Sequence, residues 1–126
     1  MKYVVVVDDE ELVEEFLEEF LRDADYREIS FGDPTKAFDF IKENREEIAL
    51  IITDINMPQM TGIQLGEELM KAACQSIPLI LFTGNAVPPN AGDLSNNIKI
   101  VLQKPVIRKE FIHAVKTLIG RADDVG

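Results

Sequence analysis

The chain has 126 residues and a formal net charge of −10 at pH 7. Such acidity argues against nucleic-acid binding, because phosphate neutralisation needs clustered Lys and Arg. The length fits one domain, the single cysteine, Cys74, excludes an internal disulfide, and no apolar run approaches the roughly 20 residues of a membrane span. We therefore expect one cytoplasmic domain that contacts neither membrane nor nucleic acid.

Strand and helix patterns alternate along the first part of the chain. Tyr3–Val7 is a β-branched run, which indicates a strand. Glu10–Arg22 is predicted as a helix, because its apolar residues recur every three or four positions. Arg27–Phe31 is short and alternating, which favours an edge strand, and Asp33-Pro34 predicts the N-cap and first position of a second helix.

The alternation continues to the end of the chain. Ala49–Asp54 is an apolar run ending in a carboxylate, which is typical of a strand buried on both faces. Helices are predicted at Gly62–Ala73 and Arg108–Ile119, and strands at Ile77–Phe82 and Ile98–Leu102.

Two segments lack a clear pattern. Asn85–Asn97 stands where a fourth helix would complete the alternation, but its prolines, glycine and asparagines are poor interior helix residues. We expect a short or irregular helix there, and the least stable internal segment. Arg121–Gly126 is predicted as a frayed C-terminal tail behind a single domain at residues 1–120, with Gly120 as the C-cap of the last helix.

Five strands alternating with about five helices predict an α/β fold with a doubly wound parallel sheet. Right-handed crossovers favour the flavodoxin-like strand order 2-1-3-4-5, in which the ends of strands one and three flank the switch point. Asp8, Asp9 and Asp54 would then meet in one cleft.

Three carboxylates in one cleft either raise a pKa or bind a cation. Oxygen ligands of this number favour Mg²⁺, to which the backbone carbonyl of Asn56 could add a fourth oxygen. A carboxylate can also attack phosphorus to form an acyl phosphate. Thr83 and Lys104 stand at the ends of strands four and five, where a hydroxyl and a cation could contact phosphoryl oxygens.

Each of these pieces alone is common as a helix cap or a turn. Together, at four neighbouring strand ends, they resemble a two-component response-regulator receiver domain. The resemblance rests on Val5-Val6-Val7-Asp8-Asp9-Glu10, on Asp54-Ile55-Asn56-Met57-Pro58 with Gly62, on Thr83-Gly84 and on Lys104-Pro105.

The resemblance implies a role for each matching residue. Asp54 would be the phosphoacceptor for a histidine kinase or histidine phosphotransfer protein, and Asp8 and Asp9 the Mg²⁺ acids. Asn56 would be the carbonyl ligand, Thr83 the switch hydroxyl, and Lys104 the invariant lysine before a cis peptide bond. Such a domain catalyses its own phosphorylation and dephosphorylation rather than acting on an external substrate, and is expected to be a monomer or weak dimer.

The chain departs from the family pattern at three places. Val101 stands where Phe or Tyr is usual, Gly84 stands where Ala is common, and the fourth helix is replaced by the Asn85–Asn97 segment. The phrase Leu102-Gln103-Lys104-Pro105 resembles receivers attached to hybrid sensor kinases.

Three other classes of protein would have different requirements at these positions. A pseudo-receiver that acts only as an interaction module would not need the complete acid, hydroxyl and lysine set. A Mg²⁺-dependent phosphohydrolase would want an acid where Asn56 stands. A flavin-binding protein would want a Ser/Thr/Gly-rich phosphate loop after strand one, where Asp8-Asp9-Glu10-Glu11 would repel phosphate.

Overall fold

The computed structural model describes residues 1–84 and 90–126. Five strands and four α-helices lie in these residues. In chain order they are β1 (Tyr3–Val7), α1 (Glu11–Asp23), β2 (Arg27–Phe31), α2 (Pro34–Glu43), β3 (Ile48–Asp54), α3 (Gly62–Lys71), β4 (Leu79–Thr83), β5 (Ile98–Gln103) and α4 (Arg108–Ile119).

The strands form one parallel sheet in the order β2-β1-β3-β4-β5. This confirms the predicted α/β, doubly wound arrangement and the edge position of β2. β1 and β3 are neighbours, with Val7 in register with Thr53. Their C-terminal ends therefore lie side by side, at the point where the strand order reverses.

The sheet separates two apolar cores, because successive strand side chains point to opposite faces. Val4, Val6 and Ile52 join α1 and α4 in one cluster, which we call the α1/α4 core. Val5, Val7 and Ile51 join α2 and α3 in the other, the α2/α3 core. Strands covered on both faces explain the continuous Val and Ile runs of β1 and β3.

The start of α2 and the end of α4 follow the predicted capping chemistry, and α3 has a capping box that was not predicted. The Asp33 carboxylate accepts from the Thr35 amide at 2.9 Å, and Pro34 occupies the first turn of α2. Thr61 and Gln64 form a capping box at α3. Gly120 ends α4 with φ +78°, a conformation that favours glycine. Among the described residues, no helix is long and apolar enough to cross a lipid bilayer.

The apolar positions of α1 do not all face the core. Leu17 and Leu21 are buried, whereas Leu12 and Phe16 are 64% and 48% exposed. The apolar stripe of this helix is therefore wider than the surface that the rest of the domain covers.

The predicted weak segment falls partly outside the described residues, since 85–89 are not described. Residues 90–97 contain a 3-10 turn at Ala91–Asp93. Asn97 is buried, and its side chain donates to the Gly66 carbonyl at 3.0 Å and accepts from the Ser95 hydroxyl at 2.6 Å. This asparagine links the start of β5 to α3. From the sequence it was expected only to be a poor helix residue, and this role was not predicted.

The prediction of a frayed C-terminal tail is wrong. Ala122–Asp124 form a 3-10 turn, and the Arg121 amide donates to the Asp124 carboxylate at 3.1 Å. Ala122 and Val125 are each only 8% exposed and pack into the α1/α4 core. Burial of these two apolar side chains holds the segment against the domain.

Candidate functional site

The predicted site residues lie along the C-terminal edge of the sheet. Asp8 directly follows β1, Asp54 ends β3, Thr83 ends β4 and Lys104 follows β5. Backbone hydrogen bonds between neighbouring strands continue to the site residues. The Ile55 amide donates to the Phe82 carbonyl at 2.9 Å, and the Lys104 amide donates to the Thr83 carbonyl at 2.8 Å. The sheet itself therefore fixes where Asp54 and Lys104 emerge.

Lys104 joins two carboxylates. Its ammonium group lies 3.2 Å from Asp54 Oδ2 and 3.2 Å from Glu10 Oε1. Burial lowers the pKa of Lys104, but the negative charges of Asp54, Glu10 and Asp8 outweigh it and hold the pKa above its usual range. Lys104 is therefore a fixed positive charge beside a nearly buried Asp54 carboxylate.

Asp8 is 1% exposed, and only one of its two carboxylate oxygens accepts a hydrogen bond within the described residues. Its Oδ1 accepts from the Glu10 amide at 2.9 Å, while its buried Oδ2 has no hydrogen-bond partner within the described part of the chain. Burial raises the pKa of Asp8 to about 6, the Glu10 amide opposes this rise, and the Asp54 charge adds to it. An unpaired carboxylate oxygen in a buried acidic cleft is suited to a cation.

The acids that converge differ from those predicted. Asp8, Glu10 and Asp54 can each present one oxygen such that all three lie within 4.8 Å of one another. Asp9 is exposed and does not join this group among the described residues. The structure thus brings together Asp8 and Asp54, as predicted, but adds Glu10, which was not among the predicted metal ligands.

The remaining predicted residues lie around this group. Thr83 is fully buried at the end of β4. Asn56 is exposed in the loop two residues after Asp54, so its role as a carbonyl ligand stays a prediction. The Lys104-Pro105 peptide bond is cis, as the resemblance implied.

Gly62 allows helix α3 to begin against this site. Its amide donates to the Ile55 carbonyl at 2.9 Å. A Cβ at this position would overlap the Asp54 carbonyl oxygen and lie 2.7 Å from Leu81 Cδ1. Only glycine fits this close approach, so the helix start braces the backbone that carries Asp54.

A comparison with protein families shows which family the chain belongs to. The profile of the response regulator receiver domain matches residues 4–116. The chain belongs to the response regulator receiver domain family. The acids, the buried threonine and the lysine in the cleft of this receiver domain are among the residues on which the family resemblance in the sequence rests.

Curated relatives of the receiver domain are longer proteins. Response regulator Rre1 of Synechocystis sp. is 31% identical over 124 residues, which cover 94% of this chain and 52% of that protein. Two-component response regulator ARR12 of Arabidopsis thaliana is 29% identical over 85 residues, covering 68% of this chain and 14% of that protein. The chain thus spans about half, or much less, of the length of these relatives.

Solved structures share the fold of this receiver domain over nearly their whole length. Chemotaxis response regulator CheY4 of Vibrio cholerae superposes with a TM-score of 0.83 at 22% identity, covering 94% of this chain and 98% of that one. Response regulator TrrA of Thermotoga maritima, solved with Mg²⁺ and BeF, has a TM-score of 0.80 at 28% identity, covering 94% and 99%.

Proposed function

We propose that this receiver domain is a phosphorylation-dependent signalling switch in the cytoplasm. Asp54 would take a phosphoryl group from a phosphohistidine on a histidine kinase or histidine phosphotransfer protein. The observation that carries this proposal is the Asp54 carboxylate, which is 3% exposed, lies 3.2 Å from the Lys104 ammonium and shares its cleft with the unpaired oxygen of Asp8.

In the proposed transfer, an Asp54 carboxylate oxygen attacks the phosphorus atom. An O–P bond forms as the P–N bond to the donor imidazole breaks, and the bonding electrons leave with the imidazole nitrogen. The product is an acyl phosphate. Lys104 already contacts Asp54 Oδ2 and would stabilise the added negative charge. The Thr83 hydroxyl, at the end of the neighbouring strand β4, would donate a hydrogen bond to a phosphoryl oxygen.

The residues present fit a divalent cation. Asp8, whose Oδ2 is buried and unpaired, would hold it with Asp54, the Asn56 carbonyl and one acid from Asp9 or Glu10. When bound, Mg²⁺ offsets the charge on phosphoryl oxygens during transfer. Lys104, 3.2 Å from Asp54, would therefore offset the negative charge of the phosphoryl group directly, whereas the acids would do so only through the cation that they hold.

The experiment is phosphorylation by acetyl phosphate with Mg²⁺, followed by intact mass spectrometry. One phosphoryl group should be added to the wild-type chain and to Asp39→Ala, a control that removes an exposed acid on α2. Asp54→Ala should abolish the adduct, and chelation of Mg²⁺ should slow its formation. An adduct that survives Asp54→Ala or maps to His113 would overturn the assignment, and a wild-type chain that takes no phosphate would be a pseudo-receiver.

A further inference from the structure

Exposed apolar side chains gather on one face of the domain. Leu12 and Phe16 lie one turn apart on the outside of α1, and Ile107, 50% exposed, precedes the first turn of α4. The two helices are neighbours over the same face of the sheet, since the Phe20 and Phe111 rings are 6.3 Å apart. Large apolar side chains grouped in this way mark an interaction surface.

The α1 part of this surface is strongly acidic. Helix α1 contains five glutamates, and the exposed Glu15 and Glu19 lie beside Leu12 and Phe16 on its outer side. We call Leu12, Glu15, Phe16 and Glu19 the acidic ridge. It combines an exposed ring with negative charges one turn apart.

The α4 part has the opposite charge. A groove of 840 Å³ runs between the end of α1 and the outer side of α4, with Ala24 and Ile112 among its lining residues. Its charged side chains are the cations Arg108, Lys109 and Lys116 and the acids Asp23 and Glu110. Arg108 lies 3.7 Å from Asp23 and pairs with it, so the excess of positive charge comes from the two lysines. Lys109 and Lys116 are exposed and lie seven positions apart, and hence on one side of the helix. We call this the basic groove, and it is cationic in a chain whose net charge is −10.

We propose that the acidic ridge binds the basic groove of a second copy of this chain. Because both surfaces lie on neighbouring helices of one face, a two-fold axis can place the ridge of each copy on the groove of the other. The contact would be made twice, with Phe16 covering apolar groove surface and Glu15 and Glu19 facing Lys109 and Lys116.

A second copy fits better than an unrelated partner because the chain itself carries both complementary surfaces. The net charge of −10 opposes contact between the acidic surfaces of two copies, whereas this pairing brings opposite charges together. The association needs neither phosphate nor a phosphodonor, and its outcome is therefore independent of the function proposed above.

The test uses two charge-reversed variants and sedimentation equilibrium. Lys109→Glu with Lys116→Glu makes both surfaces acidic, and Glu15→Lys with Glu19→Lys makes both basic. Each variant alone should associate at least about tenfold more weakly than the wild type. An equimolar mixture should recover dimers, because both contacts in the mixed pair again join opposite charges.

The control is Lys36→Glu with Lys71→Glu, which makes the same change in net charge on α2 and α3 over the other face. It should leave association unchanged, and circular dichroism should show that all variants fold. Phe16→Ser should also weaken the dimer without changing net charge. A wild-type chain that stays monomeric, a mixture that does not associate, or variants that impair only transfer from a histidine donor would overturn the proposal.

Discussion

At the residue scale, Asp8 destabilises the metal-free domain when it is charged. Its folded-state pKa is raised to about 6 from 3.8, mainly by burial. Between these two values the folded state binds the proton more tightly than the unfolded state does. The free energy of unfolding therefore falls as pH rises through this window, by about 1.4 kcal/mol for each unit of difference between the two pKa values.

Asp8→Asn should accordingly make the metal-free domain more stable than the wild type at pH 7. Asn keeps an oxygen that can accept from the Glu10 amide but carries no charge beside Asp54. The gain should disappear below about pH 4, where Asp8 is protonated in both states. Urea unfolding with a chelator present, across this pH range, measures it.

The matched control is Asp39→Asn, which changes an exposed acid on α2 and should leave the free energy of unfolding nearly unchanged. An equal gain in the free energy of unfolding for Asp8→Asn at pH 7 and below about pH 4 would contradict the assignment of the effect to the charge on Asp8.

The same cleft shows what the sequence can and cannot determine at this scale. Asp54 and Lys104 were predicted at the ends of two parallel strands, which meet at one edge of the sheet, and in the structure their side chains are in contact. The convergence of Glu10, rather than Asp9, with Asp8 and Asp54 depends on the turn after β1. The run of four consecutive acids, Asp8 to Glu11, carries no periodicity that tells which of them face the cleft.

At the element scale, the start of α3 and the backbone of β3 form one packed unit through Gly62. Gly62→Ala should lower the free energy of unfolding by roughly 1–3 kcal/mol or more, because the added carbon meets the Asp54 carbonyl and Leu81. It should also slow phosphorylation, since relief of the overlap moves the backbone that carries Asp54. Urea unfolding and acetyl phosphate labelling measure the two effects.

Gly32→Ala is the matched control, because a Cβ there would have only the Asp8 carbonyl, 3.9 Å away, within contact range. That variant should change stability by less than about 0.5 kcal/mol. Equal effects of the two substitutions would show that the close approach at Gly62 is not what matters.

Whole elements were predictable where burial leaves a periodic signal. Tyr3–Val7, Arg27–Phe31 and Arg108–Ile119 have the predicted bounds, and α2 begins at Pro34 as predicted. The remaining helices and strands differ by one or two residues at one or both ends. The packed C-terminal turn was missed because Ala122 and Val125 are two isolated apolar residues among acids and glycine. Their burial depends on the space left beside α1 and α4, which no local pattern encodes.

At the scale of the whole molecule, the relay of a signal from Asp54 should differ from that implied by the family resemblance. Val101 is half-buried against the α2/α3 core, at the place where Phe or Tyr is usual. It has no ring to move and one stiff side-chain torsion. A change in its burial therefore contributes little coupling free energy between β5 and the phosphorylated site.

Addition of beryllofluoride, an aspartyl-phosphate mimic, should shift amide signals of Gly84 and residues 90–97 more than those of α4. Val101→Phe should extend the shifts into β5 and α4. Two-dimensional NMR compares the two chains directly. Large shifts along α4 of the wild type, with quiet signals at 90–97, would rule out this reduced relay.

Because the sheet separates the α1/α4 core from the α2/α3 core, the free-energy costs of substitutions in the two cores should be additive. Leu17 and Leu69 belong to different cores, so the costs of Leu17→Ala and Leu69→Ala should add within about 0.5 kcal/mol. Phe82 and Phe111 share one core with ring centroids 5.8 Å apart, and a double-mutant cycle on them should be non-additive. Substitutions in one core should therefore leave the free-energy cost of substitutions in the other core nearly unchanged.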